Sequence, residues 1–451
     1  MNSPRARILL VSLVVVLALA GALLLAATRR RPVVSPPQPI TNTVPDGAGT
    51  QPAPTTPAPR LPTPQPPPPG WEDRVKVLQD RIANNPKDQS AYAELGAMYI
   101  TVQRIEDALP PLLRAVDLNP KDATSWFNLA GCYQQMLAFD LYTDALEHCI
   151  AARPDWIEPY RTLADVYERI GLAGTTRAIP LLREAHRRAP EDLPTLVALS
   201  SSLLRTGEDK TRNEGKRLVD EAYRLAPHEP VILSLMAYRA FLEDDFAAAE
   251  KYALEGLTLA PDSVELHMMM ADIIKTGEQH DQREAIPHLQ VIIQLQPTRH
   301  DAYLMLAQVF RRLNDDEKAR TVLERLLTIV PSASEEVYRM LAEIYQAKGD
   351  AAKAKTFHDQ AESRRVVGER LRTLQATTLA NPKDVPAATA LANEYFKQGG
   401  DLAGIMVLKE AAKASPSDPR PFLELEKYYR AHGRTRLADD AHAAARRRGA
   451  P

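Results

Sequence analysis

A Lys/Asp pair that recurs in three copies of the tetrapeptide NPKD is the first candidate for chemistry in this chain. The copies occupy residues 85–88, 119–122 and 381–384. A lysine beside a carboxylate could serve acid–base catalysis, but the same slot elsewhere reads RPDW, APED, APDS or SPSD, so the lysine is dispensable. The proline disfavours a helical conformation of the residue before it, and the aspartate can cap the helix that follows. The tetrapeptide therefore predicts a helix boundary rather than a site.

Histidines and cysteines give no stronger signal. None of the ten histidines lies in an HExxH or other ligand-spaced motif, and Cys132 and Cys149 have neither metal spacing nor a disulfide framework. Glu147, His148 and Cys149 are adjacent, but neighbours on a helix point about 100° apart and share a metal poorly. No GxSxG motif or phosphate-binding glycine loop appears. We expect buried cysteines, no catalytic residue, no metal, no cofactor, no small-molecule substrate and no enzymatic activity.

The elements that would position any site recur with a fixed period. Prolines close successive apolar runs at spacings of 34, 34, 36, 37, 34, 36, 34, 51 and 34 residues. These prolines are Pro86, Pro120, Pro154, Pro190, Pro227, Pro261, Pro297, Pro331, Pro382 and Pro416. A period near 34 indicates helix–turn–helix units stacked into a solenoid.

Each period also carries a common residue pattern. The second one places Trp126, Leu129, Ala130 and Tyr133 at helical spacing, and Cys149 follows before the closing proline. This pattern resembles the tetratricopeptide repeat family, whose units read W-x2-L-G-x2-Y followed by small residues and a proline. The resemblance covers about residues 70–448 and recurs ten times. It implies an all-α, right-handed superhelical solenoid of about ten repeats.

The spacing of 51 residues divides the array, because it equals one and a half repeats. We predict a main array at residues 71–365, made of a leading helix and eight repeats. A second leading helix with two further repeats is predicted at residues 366–451. Extra residues in repeats three, four and six are interpreted as exposed loop tips, which tolerate insertions.

The N-terminal 70 residues differ from the repeats. After a tail at residues 1–7, residues 8–27 are uncharged and long enough to span roughly 30 Å, so they predict a transmembrane signal anchor. A signal peptide cleaved near Ala20-Gly21-Ala22 is the alternative. Residues 28–70 contain 15 prolines and predict a disordered Pro-rich linker. We expect a single-pass cell-membrane protein whose body is extracytoplasmic, or a secreted or periplasmic protein after cleavage.

Charge argues against nucleic acid as a partner. Without the five arginines of residues 1–31, the chain carries 51 basic and 58 acidic residues, whereas phosphate binding uses a basic face. We therefore expect protein or peptide partners, and the membrane through residues 8–27.

The resemblance implies that the first helix of each repeat lines a concave groove. At the positions that face this groove in the family, repeats four to six place apolar residues, which predict a peptide-binding site. These residues are Val197, Leu204, Tyr238, Phe241 and Met268. The alternative is that they pack into the core. The function that follows is a membrane-tethered scaffold or adaptor without catalysis, or else the accessory recognition subunit of an enzyme or of a secretion or assembly complex.

Overall fold

The computed structural model describes residues 65–170, 172–206, 208–277, 280–330 and 333–450, and all of these lie within one compact unit. They form 21 α-helices without a strand. The first eleven are α1 (Trp71–Asn84), α2 (Gln89–Thr101), α3 (Ile105–Leu118), α4 (Ala123–Gln135), α5 (Phe139–Ala152), α6 (Glu158–Glu168), α7 (Leu172–Arg188), α8 (Leu193–Leu204), α9 (Asp209–Leu225), α10 (Pro230–Phe241) and α11 (Phe246–Leu259). The remainder are α12 (Val264–Thr276), α13 (Ala285–Leu295), α14 (His300–Arg312), α15 (Asp316–Ile329), α16 (Glu335–Ala347), α17 (Ala351–Ala380), α18 (Val385–Lys397), α19 (Asp401–Ala414), α20 (Arg420–Ala431) and α21 (Thr435–Arg446). The all-α prediction is confirmed.

The helices pack as ten antiparallel pairs, α2 with α3 through α20 with α21, and α1 leads the first pair. Each pair packs on the next, and the buried apolar side chains form four clusters along the array. Close approach within a pair depends on small residues. Gly96 in α2 shows this best, because a Cβ atom there would lie 2.4 Å from Cγ of the fully buried Leu112 in α3. The handedness of the superhelix stays a prediction.

The NPKD tetrapeptides make the same two local hydrogen bonds in all three copies. The asparagine side chain accepts from the lysine backbone N–H at 3.2–3.3 Å, and the aspartate side chain caps the following helix at 3.0–3.2 Å. The lysine contributes its backbone N–H to this turn, so other residues can replace it. The interpretation of NPKD as a helix boundary is confirmed.

The carbonyl group of the boundary proline is also used. In repeats two and three it accepts a hydrogen bond from an aromatic side chain six residues later, in the next helix. The bond is 2.9 Å from Trp126 Nε1 to Pro120 O and 3.2 Å from Tyr160 Oη to Pro154 O. This bond explains why a ring with a polar edge recurs at that repeat position, since the turn would otherwise leave a carbonyl group unpaired.

A left-handed residue ends the first helix in seven of the described pairs. These residues are Gln103, Leu137, Asp244, Asn314, Gly349, Gly399 and Gly433, with φ between 56° and 78°. The N–H of the next residue reaches back to the helix, for example from Arg104 to the carbonyl oxygen of Tyr99 at 2.9 Å, as in a Schellman motif. This shared turn reverses the chain at the same point of each of these pairs.

Two expectations need correction. The extra residues of repeats three and four lengthen a helix rather than a loop tip, because α7 and α9 have 17 residues where α3 and α5 have 14. The helix predicted to begin the second array at residue 366 is not separate, because α17 runs unbroken for 30 residues across the predicted boundary. The division of the chain at residues 365 and 366 stays a prediction.

The N-terminal predictions fall largely outside the described residues. None of the described helices is both long and apolar enough to cross a membrane. The predicted anchor at residues 8–27 lies outside the described residues. Residues 65–70, the described end of the predicted linker, contain no helix and are exposed. The Gln65 backbone N–H donates to the carbonyl oxygen of Val102 at 2.9 Å, which attaches this end to the first repeat.

Candidate functional site

Among the first helices of repeats four to six, α10 contacts both α8 and α12 directly. These three helices carry four of the predicted groove residues, and the side chain of each is half-buried. Val197 and Tyr238 pack at the edge of one apolar cluster, and Tyr238, Phe241 and Met268 at the edge of the next. Phe241 lies edge-on to Phe246 with ring centroids 5.6 Å apart. These partly accessible apolar side chains can supply contacts to a ligand.

Leu204 does not belong to this surface. Its side chain is 1% exposed and lies in a cluster with Val219 of α9 and Leu235 and Met236 of α10. The last turn of α8 is covered by the helix that follows it and by the next repeat, so Leu204 contributes to the core. The remaining four residues stay the prediction for the groove.

Val231 adds a fifth partly accessible apolar side chain to these four, and it was not among the predicted residues. It lies in the first turn of α10 and is 43% exposed. It occupies the same repeat position as Glu158 and Asp301, so the repeat register could have identified it. We call Val197, Val231, Tyr238, Phe241 and Met268 the apolar strip.

Repeat three, on the N-terminal side of the strip, uses its charged groove positions to join neighbouring repeats. Glu168 accepts from the Ser202 hydroxyl at 2.7 Å and pairs with Arg205, and Arg161 lies 3.5 Å from Asp192. These side chains already have partners within the chain.

Repeat seven does the same on the other side. Gln308 donates to Glu336 at 3.0 Å, and Arg311 pairs with Glu343. Both acceptors lie in α16, the first helix of repeat eight. The strip therefore lies between two stretches of polar contacts that link consecutive first helices.

Asp272 is different, because it is half-buried one turn after Met268 and makes no ion pair with any described residue. Burial raises the pKa of its carboxyl group, Lys275 opposes the increase and the nearby charge of Asp301 adds to it. A cation placed beside Asp272 would stabilise the ionised form. The strip thus ends at an acidic group whose opposing charge comes from Lys275 of the same helix.

A family model described as tetratricopeptide repeat matches residues 278–344. These residues therefore match the predicted tetratricopeptide pattern. The "Tetratricopeptide repeat-containing protein trd-1" of Caenorhabditis elegans is 28% identical over 102 residues, or 23% of this chain. The chain spans only 13% of the length of that relative.

Solved structures give fold-level likenesses at low identity. The human IFIT1 dimer with m7Gppp-AAAA aligns over 78% of this chain and 96% of its own, with 16% identity and a TM-score of 0.44. YrrB, described as a TPR protein with an unusual peptide-binding site, aligns over 44% of this chain and 98% of its own, with 16% identity and a TM-score of 0.38.

The three adjacent residues that first suggested a metal site point to separate environments in repeat two. Glu147 binds lysines of a later repeat, His148 stacks on Trp126 with ring centroids 4.4 Å apart, and Cys149 is fully buried. Burial raises the pKa of both cysteine thiols to about 12. The described residues contain no cluster of three or more potential metal ligands.

Repeat six holds a histidine pair at the position where other repeats carry Trp or Tyr. Nε2 of His267 lies 2.9 Å from the carbonyl oxygen of Pro261, and its Nδ1 lies 2.8 Å from Nδ1 of His288. His267 must donate through Nε2, so Nδ1 of the neutral ring accepts from Nδ1–H of His288.

The pair predicts a loss of stability in mild acid. Burial and the neighbouring His267 lower the pKa of His288 below 6.5, so this ring contributes stability above about pH 6.5 that is lost as the pH falls through its folded value. The free energy of unfolding from urea titrations should therefore decrease between pH 7.5 and 5.5. H288Q should reduce that slope, and H300Q, at an exposed histidine, should leave it unchanged. Equal slopes in the two variants would contradict the assignment.

Proposed function

We propose that this protein is a non-enzymatic, membrane-tethered scaffold that binds an extended segment of a partner protein along the apolar strip. The observation that carries the proposal is a run of half-exposed apolar side chains on three consecutive first helices, between repeats whose groove positions are already paired. Partly exposed aromatic and aliphatic side chains of this kind provide the anchors in peptide-recognition grooves.

Charge at the strip selects the chemistry of the partner. Asp272 makes no ion pair with a described residue, although Lys275 lies near it, and Glu265 and Asp301 lie at groove positions of the same and the next repeat. A peptide with apolar side chains along one edge would bury them against the apolar strip. A lysine or arginine in the same peptide would neutralise the charge of Asp272. An acidic peptide or a nucleic-acid phosphate would add like charge beside Asp272 instead.

The tether is proposed from residues 8–27, with residues 28–70 as a Pro-rich spacer. It would hold the repeats near the outer face of the cell membrane, and a cleaved signal peptide with a secreted or periplasmic body is the alternative. A topology reporter at the C-terminus, combined with extraction of membranes at high pH, separates these cases. An anchored body remains in the membrane pellet, whereas a cleaved one does not.

A second candidate role is the accessory recognition subunit of an enzyme or of a secretion or assembly complex. In this role the protein would bind through the same apolar strip, but its partner would be an enzyme or a secretion or assembly complex. Material bound to the full chain would carry a single enzymatic activity under this alternative, and a set of structural proteins under the scaffold proposal. In both cases Tyr238 should contact the partner.

The strip predicts a loss of affinity on truncation of its aromatic anchor. In F241A, binding of a fluorescent peptide of about 15 residues that carries leucines and one lysine should weaken about tenfold, since anchor residues typically contribute more than 1 kcal/mol. Fluorescence anisotropy with the full chain would measure the change. D272N should weaken binding of the lysine peptide more than that of an uncharged analogue.

The matched control is L254A, which removes an apolar side chain that is 47% exposed on the second helix α11. It should leave the affinity unchanged. Equal effects of F241A and L254A, or preference for a glutamate peptide, would show that the strip is not the binding surface.

A further inference from the structure

The second and ninth repeats contact each other although more than 260 residues separate them in the chain. Helix α19 packs on α5, where Sδ of Met406 lies 3.9 Å from Oγ1 of Thr143 and both residues are buried. Ile405 and Met406 belong to the same apolar cluster as Phe139 and Tyr142. The last two repeats are thus attached to the array at two places: through α17 and through α5.

A buried lysine lies at the centre of this contact. Nζ of Lys409 is 2.8 Å from Oδ1 of Asp144 and 3.4 Å from Oε1 of Glu147, and the residue is 5% exposed. Lys413, one turn later, is 3.2 Å from Oε2 of Glu147. Burial raises the pKa of Glu147, but the two lysines outweigh it and lower the pKa overall.

Two further polar contacts flank the lysine. The Tyr429 hydroxyl of α20 donates to Asp140 of α5, and Arg177 of α7 lies 3.0 Å from Glu410 of α19. Asp140, Asp144 and Glu147 follow one another at helical spacing on α5, opposite the lysines of α19. The two surfaces are therefore complementary in charge as well as in shape.

The chemistry of this contact differs from that between neighbouring repeats. Neighbouring repeats bury mainly apolar side chains, whereas this contact also places a buried lysine beside carboxylates that stay partly exposed. The loss of hydration of the lysine offsets much of its attraction to these carboxylates, so the charged part of the contact is specific but contributes little net stability. Interfaces of this kind between parts of one chain open more readily than an apolar core.

We propose that the α5–α19 contact is a reversible clasp, which closes the array when Lys409 enters the acidic face of α5 and opens without unfolding of the repeats. Opening exposes that acidic face and the apolar side chains around Met406, and leaves the stacking of repeats three to eight intact. The clasp involves none of the residues of the apolar strip, so it stands or fails independently of peptide binding.

Labelling of a thiol in the contact tests reversibility in the full chain. M406C places a thiol at a position that is 2% exposed, and native Cys132 and Cys149, both fully buried in the repeats, serve as internal references. A reversible clasp predicts that Cys at position 406 reacts with a maleimide at least about tenfold faster than the native cysteines, because local opening is more frequent than unfolding. Equal rates would overturn the proposal.

Charge reversal tests the role of Lys409. Adding K409E to M406C should accelerate labelling by a further factor of about ten, because the glutamate faces Asp144 and Glu147. The double change K409E and D144K, which leaves Glu147 paired with Lys413, should restore slow labelling. Circular dichroism establishes that the helix content is retained, and a K409E chain that keeps both its helices and the slow rate would contradict the mechanism.

A disulfide between T143C and M406C gives a second measurement. The closed state should form this bond under mild oxidation, and K409E should reduce its yield about tenfold. Absence of the bond in the chain with native Lys409 would show that the clasp does not close.

Discussion

Replacing Tyr303 with alanine is expected to lower the free energy of unfolding by about 3–5 kcal/mol, since a fully enclosed aromatic ring is lost and a cavity remains. Tyr303 lies in α14, is 1% exposed and packs in the apolar cluster of repeats five to eight. Urea titration followed by circular dichroism would measure the change. The array is repetitive, so the loss should appear first in the transition of the repeats around α14.

The hydroxyl group of the same residue supplies the control. It occupies the position at which Tyr160 donates to a proline carbonyl group, yet it has no hydrogen-bond partner among the described residues. Y303F should therefore be neutral or stabilising by up to about 1 kcal/mol, whereas Y160F should destabilise by about 1 kcal/mol. Equal destabilisation by both changes would show that the Tyr303 hydroxyl has a partner.

Two glycines should respond to the same substitution with opposite signs. G131A is expected to stabilise α4 by about 0.5–1 kcal/mol, because alanine has the higher helix propensity and no atom lies within 4 Å of the new Cβ. G96A gains the same propensity in α2. Its Cβ would lie 2.4 Å from Cγ of Leu112, however, and overpacking of this kind costs about 1–3 kcal/mol.

Thermal or urea unfolding of the two variants in parallel would measure the difference. G96A should lower the transition midpoint and G131A should raise it. Stabilisation by G96A would mean that Leu112 can move without cost, and that the close approach of α2 and α3 is not set by Gly96.

The repeats could be predicted from the sequence because each depends on residues within about 34 positions. Proline, a capping aspartate and small residues at fixed spacing are enough to define a helix pair. The continuous helix α17 was also within reach of this reasoning, because repeat eight has no closing proline and Gly368 alone interrupts an otherwise helix-compatible run. The residues before the third NPKD resemble those before the first one. This similarity favoured the prediction of a separate leading helix instead.

The burial of Leu204 was not predictable in the same way. Its repeat position faces the groove in a regular array, but its neighbours Leu235 and Met236 come from the next pair, and one sequence does not specify how closely two divergent repeats stack. Glu426 shows the converse. It replaces a small residue, and the structure accommodates it because Arg430 and His442 both bind its carboxylate at 2.9 Å.

The contact between α5 and α19 had no signal in the sequence. Lys409 reads as one more surface lysine on a second helix, and Asp144 and Glu147 as its usual acidic counterparts. Only the path of six intervening repeats brings them together, and small rotations between neighbours add up along that path. Such a long-range contact becomes visible only in three dimensions.

The length of α17 sets the angle at which the last four helices are presented. At 1.5 Å and about 100° per residue, its 30 residues form a rod of roughly 45 Å whose two ends have a fixed rotational phase. One inserted residue would turn α18–α21 by about 100° and carry Lys409 away from Asp144, whereas seven would nearly restore the angle and shift the rod by about 10 Å. In α17 the number of residues therefore matters as much as their identity.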